Sequence, residues 1–156
     1  MLLPTAYLDT LWRLLHTEAV CASDPNRLFQ WLSSLLETGD DGGAPTRRRH
    51  FNMLGNDDSL KHIFRLLTSC VNDEALTADA YDCIELYFCY VNFLQGCLAY
   101  PARRWMQLLS LDGLRGIEAI WQMAATATQK KVIVYARFLI VELYTKLDPK
   151  VHWRHA

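Results

Sequence analysis

His152 and His155 stand three residues apart near the end of this 156-residue chain, a spacing that sets two imidazoles on one helical face. A zinc site wants three or four such ligands, and no carboxylate or thiol motif accompanies the pair, so no metal is expected. Cysteine chemistry fares no better. Cys21, Cys70, Cys83, Cys89 and Cys97 form no C-x-x-C pair, and runs such as Tyr87-Phe88-Cys89-Tyr90 embed the thiol in apolar residues. Such surroundings raise a thiol pKa and hide the sulfur, the opposite of what a nucleophile needs. There is no G-x-S-x-G, no glycine-rich phosphate loop and no H-E-x-x-H. Asp40-Asp41 and Asp57-Asp58 fall where loops and helix starts ordinarily carry acids. The sequence therefore assigns no catalytic residue and calls for no cofactor.

The remaining candidates are contact residues. Arg47, Arg48 and Arg49 precede His50 and follow the glycine-rich segment 39–45, read as a flexible loop near 39–49. Arg103, Arg104 and Trp105 lie on a connector after Pro101, where the tryptophan is expected to be exposed. These six residues are the expected partner-binding set, since arginine and tryptophan are enriched at binding hot spots. Trp12, Trp31 and Trp121 fall in apolar stripes and read as core, while His16 and His62 read as interior or boundary residues.

Helices must position all of these. Residues 2–20 space Leu3, Tyr7, Leu8, Leu11, Trp12, Leu14 and Leu15 three and four apart, as an amphipathic helix requires. A second helix is predicted over 25–37, with Asp24 as cap and Pro25 at the first helical position. Residues 51–54 read as a short docking segment, and a third helix begins at 56–59 and ends at 72–74. Thr77 caps a long fourth helix, apolar almost all round and hence central, running from 78 to about 100 and stopped by Pro101. Residues 103–109 form a connector or helical turn. The chain is organised around residues 113–151, two helices joined by a polar turn and closed by Asp148-Pro149. The second of them carries Val132, Tyr135, Ala136, Leu139, Ile140, Leu143, Tyr144 and Leu147 on a stripe too broad for a solvated surface helix. No alternating β pattern of useful length competes, although Val132-Ile133-Val134 is locally strand-compatible. The expected architecture is all-α: one domain over 1–156, about six helices in stacked antiparallel pairs of the armadillo/HEAT-like kind.

Composition agrees. Hydrophobic residues make up 51% and charged residues 21%, which fits a packed core. The net charge of −1 gives no general pull toward nucleic acid or an anionic membrane. Arg137 and Glu142 interrupt the best apolar run, and Asp9, Arg13 and Glu18 interrupt the N-terminal one, so neither a membrane span nor a signal peptide is read. An odd, irregularly spaced cysteine set points to reduced thiols and a cytoplasmic location.

Particular segments also resemble a family. Gly116-Ile117-Glu118-Ala119-Ile120-Trp121, followed by Glu142-Leu143-Tyr144-Thr145-Lys146-Leu147-Asp148-Pro149, is similar to part of the very large fat facets-type ubiquitin-specific proteases. There a Gly-Leu-x-x-Leu-Trp helix precedes a helix ending Glu-Ile-Tyr-Thr-Asn-Leu-x-Pro. Arg27-Leu28-Phe29-Gln30-Trp31-Leu32 resembles an earlier Phe-x-Trp helix of that region, and residues 59–72 a following one, so the likeness covers about 26–151. The segment 39–49 and Asp148 depart from the family pattern. The resemblance implies an armadillo-like, non-catalytic scaffold region, with deubiquitination as the parent activity. Neither the catalytic cysteine box nor the histidine box of the family has a counterpart here.

The reading is a helical interaction scaffold, either a fragment or a diverged stand-alone relative. Its expected partners are other proteins, namely ubiquitinated substrates or neighbouring helical repeats, with no membrane and no nucleic acid. Two alternatives come from other classes: a small enzyme built on Cys89 or Cys97 and a distant histidine, and a phosphate or nucleic-acid binder using Arg47, Arg48 and Arg49.

Overall fold

A computed structural model describes residues 4–36, 57–71, 76–101 and 107–146. Among them the fold is all-α: α1 (Thr5–Trp12), α2 (Asp24–Ser34), α3 (Asp57–Thr68), α4 (Ala78–Leu94), α5 (Ile117–Thr126) and α6 (Lys130–Thr145). The loop at 39–49 and the docking segment at 51–54 lie outside the described residues.

The fourth helix is central, as its composition predicts. α2 and α3 both pack along it, α6 meets it over a shorter stretch, and α5 pairs extensively with α6. Tyr81, Cys83, Ile84, Tyr87, Phe88 and Val91 are all buried, covering most of the α4 circumference. Polar ties fix the packing register. Thr77 caps α4 by accepting the Ala80 amide at 3.2 Å, and its hydroxyl donates to Asn26 of α2 at 2.9 Å. The buried Tyr87 hydroxyl donates to the Leu32 carbonyl at 2.7 Å, a second bond to an acceptor that also takes the Leu35 amide at the end of α2. His62 on α3 reaches Asp9 on α1 at 2.6 Å.

Several boundaries differ from expectation for identifiable reasons. The first helix starts at Thr5, and beyond Trp12 it widens into a π-helical turn over Arg13–Thr17, where Trp12 stacks on His16 with ring centroids 4.4 Å apart. The second begins at Asp24 itself; that carboxylate accepts the Cys21 amide, so Asp24 does not cap, and Pro25 sits within the first turn. α4 ends at Leu94, well before Pro101. Gly96 adopts φ 78°, and the amides of Cys97 and Leu98 turn back onto the Asn92 carbonyl at 2.9 and 3.2 Å. The described end of the connector is extended rather than helical. Leu98 and Leu108 form an isolated antiparallel bridge, and the Leu108 amide donates to the Lys146 carbonyl at the end of α6. Val132-Ile133-Val134 lies within α6, so the local strand preference is overridden by its helical neighbours.

One side chain governs the approach to the closing hairpin. Asn92, fully buried on α4, accepts the Arg115 amide at 2.7 Å and donates to the Arg115 carbonyl at 2.9 Å. Its amide nitrogen also donates to the Phe88 carbonyl at 2.9 Å. The next residue, Gly116, takes φ 79° at the N-terminus of α5, where an added Cβ would stand 2.3 Å from Phe64 Cζ on α3. Only glycine fits both the backbone conformation and the space.

Gly116→Ala should destabilise the chain by about 2–4 kcal/mol, combining the left-handed backbone with overpacking. Gly96→Ala meets nothing within 4 Å and should lose only about 1–2 kcal/mol, the backbone part alone. Urea unfolding midpoints check this, and a Phe64→Leu change should recover part of the loss in the first variant only. Equal losses in the two glycine variants would remove the steric account.

Candidate functional site

The expected contact residues Arg47, Arg48, Arg49, Arg103, Arg104 and Trp105 lie outside the described residues, as do His152, His155 and Trp153. The sites that the structure does describe are built from other side chains.

The thiols are sorted by burial. Cys70, Cys83, Cys89 and Cys97 are buried, and only Cys83 and Cys89 lie within a helix, the other two following helix ends. Desolvation pushes Cys83 up from 9.0 to about 12, and burial with the Asp112 carboxylate nearby raises Cys97. Cys97 Sγ donates to the Asp112 carbonyl at 3.6 Å. Cys21 corrects the expectation that every thiol is embedded: it is exposed, and a hydrogen bond from the Ser23 side chain, aided by the Ser23 backbone, lowers its pKa. No group of three or more histidine, cysteine and acidic residues among the described residues is placed to hold a metal ion. No helix of the described residues is long and apolar enough to cross a membrane.

Two of the tryptophans are more open than their stripes imply. Trp12 is buried, with its ring edge-on to Phe29, but Trp31 is 37% and Trp121 49% exposed. Trp121 belongs to an outward apolar ridge. On α6, Val132, Ala136, Leu139, Ile140 and Leu143 face the core, while Val134, Phe138, Val141 and Tyr144 face outward at spacings of four, three and three. Phe138 is 57% and Val141 56% exposed, and the Tyr144 and Trp121 rings lie 6.4 Å apart across the hairpin. Arg137 stiffens this hairpin by donating from Nε to the Ala124 carbonyl at 3.1 Å, meeting an acceptor that the end of α5 leaves free. Of this ridge, the α6 stripe read from the sequence holds only Tyr144; Val134, Phe138 and Val141 fall outside it, and the rest of the stripe is largely the core-facing side.

A second feature has no signal in the sequence. A cleft of about 600 Å³ runs between α3 and the start of α5. Phe64, Val91, Leu114 and Ala119 give it apolar walls, and Lys61, Arg65 and Arg115 bring three cations to it. Asp58 and Glu118 also line it, each in the first turn of its helix.

Among curated proteins, the chain is similar to ubiquitin carboxyl-terminal hydrolase 9X of Mus musculus, with 26% identity over 145 residues. That match takes in 90% of this chain but spans only 5% of the relative. The likeness supports a link to the ubiquitin-specific proteases, as the residues around α5 and α6 suggest. No protein-family model matches the chain, and no solved structure matches it.

The Cys83 thiol makes a pH prediction. Unfolded, it ionises near 9.0; folded, it holds its proton to about 12. Above pH 9 the unfolded chain binds fewer protons, so stability should fall as pH rises through that window. Cys83→Ala should flatten the decline seen in urea unfolding between about pH 9 and pH 11. An unchanged slope would show that the thiol does not titrate as its burial dictates.

Proposed function

We propose that the chain is a non-catalytic protein-interaction scaffold of the armadillo-like kind, related to the helical part of a large deubiquitinating protease. The observation that carries the reading is the apolar ridge of Val134, Phe138, Val141, Tyr144 and Trp121 on the closing hairpin. Scattered exposed apolar residues are ordinary, but a continuous ridge along three helical turns is the face by which stacked hairpins meet. The occupant fitting that spacing is another helix with an apolar stripe, supplied by a neighbouring helical hairpin. The match to only 5% of a much longer protein supports the same occupant, since a short part of a stacked assembly has a neighbour on each open face. The parent activity, thiol-dependent removal of ubiquitin, belongs to the relative named above and reaches this chain only through that likeness. The buried positions of Cys83, Cys89 and Cys97 support a role without covalent catalysis.

The purified chain should leave a fluorogenic ubiquitin amide uncleaved; turnover that survives further purification would overturn the non-catalytic reading. A photo-crosslinking amino acid at Phe138 in cells should join α6 to an apolar-striped helical segment, mapped by mass spectrometry. Phe138→Asp with Val141→Asp should cut binding of a hydrophobic dye by roughly half while leaving the helical circular dichroism unchanged. Dye binding that does not change, or crosslinks confined to non-helical segments, would remove the ridge as a docking face.

A further inference from the structure

We propose that the cleft between α3 and the start of α5 is a binding site for an acidic linear peptide. Carboxylates of that peptide would meet Lys61, Arg65 and Arg115, and one apolar side chain would sit against Phe64, Val91 and Leu114. This surface is separate from the α6 ridge, and the inference does not rest on that ridge.

Three features lead to this ligand. The first is charge that the fold leaves unused. Lys61, Arg65 and Arg115 line the cleft, and none makes a side-chain hydrogen bond or an ion pair among the described residues. The two acids beside them, Asp58 and Glu118, occupy first helical turns, where the helix dipole already balances a negative charge. The middle of the cleft is therefore cationic.

The second is preorganisation. Arg115 is held through its own amide and carbonyl by the fully buried Asn92, and Gly116 after it is wedged against Phe64. The side chain of Arg115 thus departs from a fixed backbone, which lowers the ordering cost of binding. Lys61 and Arg65 depart from consecutive turns of α3, equally fixed.

The third is dimension. Residues four apart on a helix are separated by about 6 Å along its axis. Alternate side chains of an extended strand recur at about 6.6 Å. Lys61 and Arg65 therefore match two acids separated by one residue in an extended peptide. A space of about 600 Å³ takes a few such residues, whereas a helix about 10–12 Å across would not enter. The apolar walls and the acids Asp58 and Glu118 disfavour a continuous polyanion such as nucleic acid.

The test uses an immobilised library of short unphosphorylated peptides probed with the folded, purified chain. The expected result is selection of Asp or Glu at two positions separated by one, with an apolar residue adjacent. Arg65→Glu and Arg115→Glu, both at exposed side chains, should each weaken the best peptide by about tenfold. Lys130→Glu, at the start of α6 and outside the cleft, should leave binding unchanged, and Phe138→Asp should keep the selection. Selection without acids, or the same affinity after reversal at Arg65 and Arg115, would overturn the proposal. So would equal weakening by Lys130→Glu, which would show a general charge effect, or loss in Phe138→Asp, which would move the peptide to the ridge.

Discussion

A single buried amide sets the relation between the two parts of this molecule. Asn92 presents both a donor and an acceptor to Arg115, so its side chain acts toward that residue as a neighbouring strand would. An apolar residue there would remove both partners from the Arg115 amide and carbonyl, which are partly buried, and would cost up to about 1–3 kcal/mol for each group left without a replacement. The remaining donor of the amide is used on the Phe88 carbonyl of the same helix. Every polar atom of the side chain is thereby satisfied, the condition under which a buried polar group specifies a geometry instead of destabilising it. The same residue's main-chain carbonyl receives the Cys97 and Leu98 amides, which ends α4. One position thus stops the central helix and places the start of α5.

From that anchor the rest of the packing follows. With Arg115 held, Gly116 must cross Phe64 at a distance only a residue without a side chain permits. The crossing locks α5 to α3, although the two helices are separated by some fifty residues of sequence. α6 then returns along α5, fastened mid-helix by the Arg137 side chain to the Ala124 carbonyl and just past its end by the Lys146 carbonyl to the Leu108 amide. Neither tie uses Val134, Phe138, Val141 or Tyr144, whose side chains are exposed. The cleft lies at the same place, lined by Phe64 of α3 and by Gly116 at the start of α5.

The sequence shows helices well and their covering poorly. Periodicity located all six, because apolar residues three and four apart are a local property of each segment. It set α4 too long, since Pro101 is a conspicuous stop while the true one depends on Gly96 and on a carbonyl of Asn92 four residues earlier. It counted Trp31 and Trp121 as core, because a stripe reports which residues are apolar and not which neighbour lies against them. The α3–α5 cleft was invisible for a different reason. Lys61 and Arg65 stand some fifty residues before Arg115 in no shared motif, and it is the fold, with Asn92 holding Arg115, that brings them to one cleft. The arginine clusters at 47–49 and 103–104 were conspicuous because their residues are consecutive; they lie outside the described residues.

The likeness to a long deubiquitinase gains its meaning from where this chain spends its specificity. Catalysis by a thiol needs a sulfur that is accessible and easily ionised; Cys83, Cys89 and Cys97 are buried, and burial raises the pKa of Cys83 and Cys97. The accessible thiol, Cys21, sits in a turn between α1 and α2, beside Ser23 and Asp24. By contrast, the strict positions of the fold, Asn92 and Gly116, serve to hold α5 and α6 against the central helix. The arrangement fixes the helices while leaving an apolar ridge outward and three cations around a cleft, the features on which the proposed contact role rests. A chain selected only to fold would gain by replacing Phe138 and Val141 with polar residues, because exposed apolar surface brings aggregation without adding core. On the proposed reading Phe138 and Val141 stay apolar because a neighbouring helix would cover them, and the ties that hold α6 leave both side chains outward.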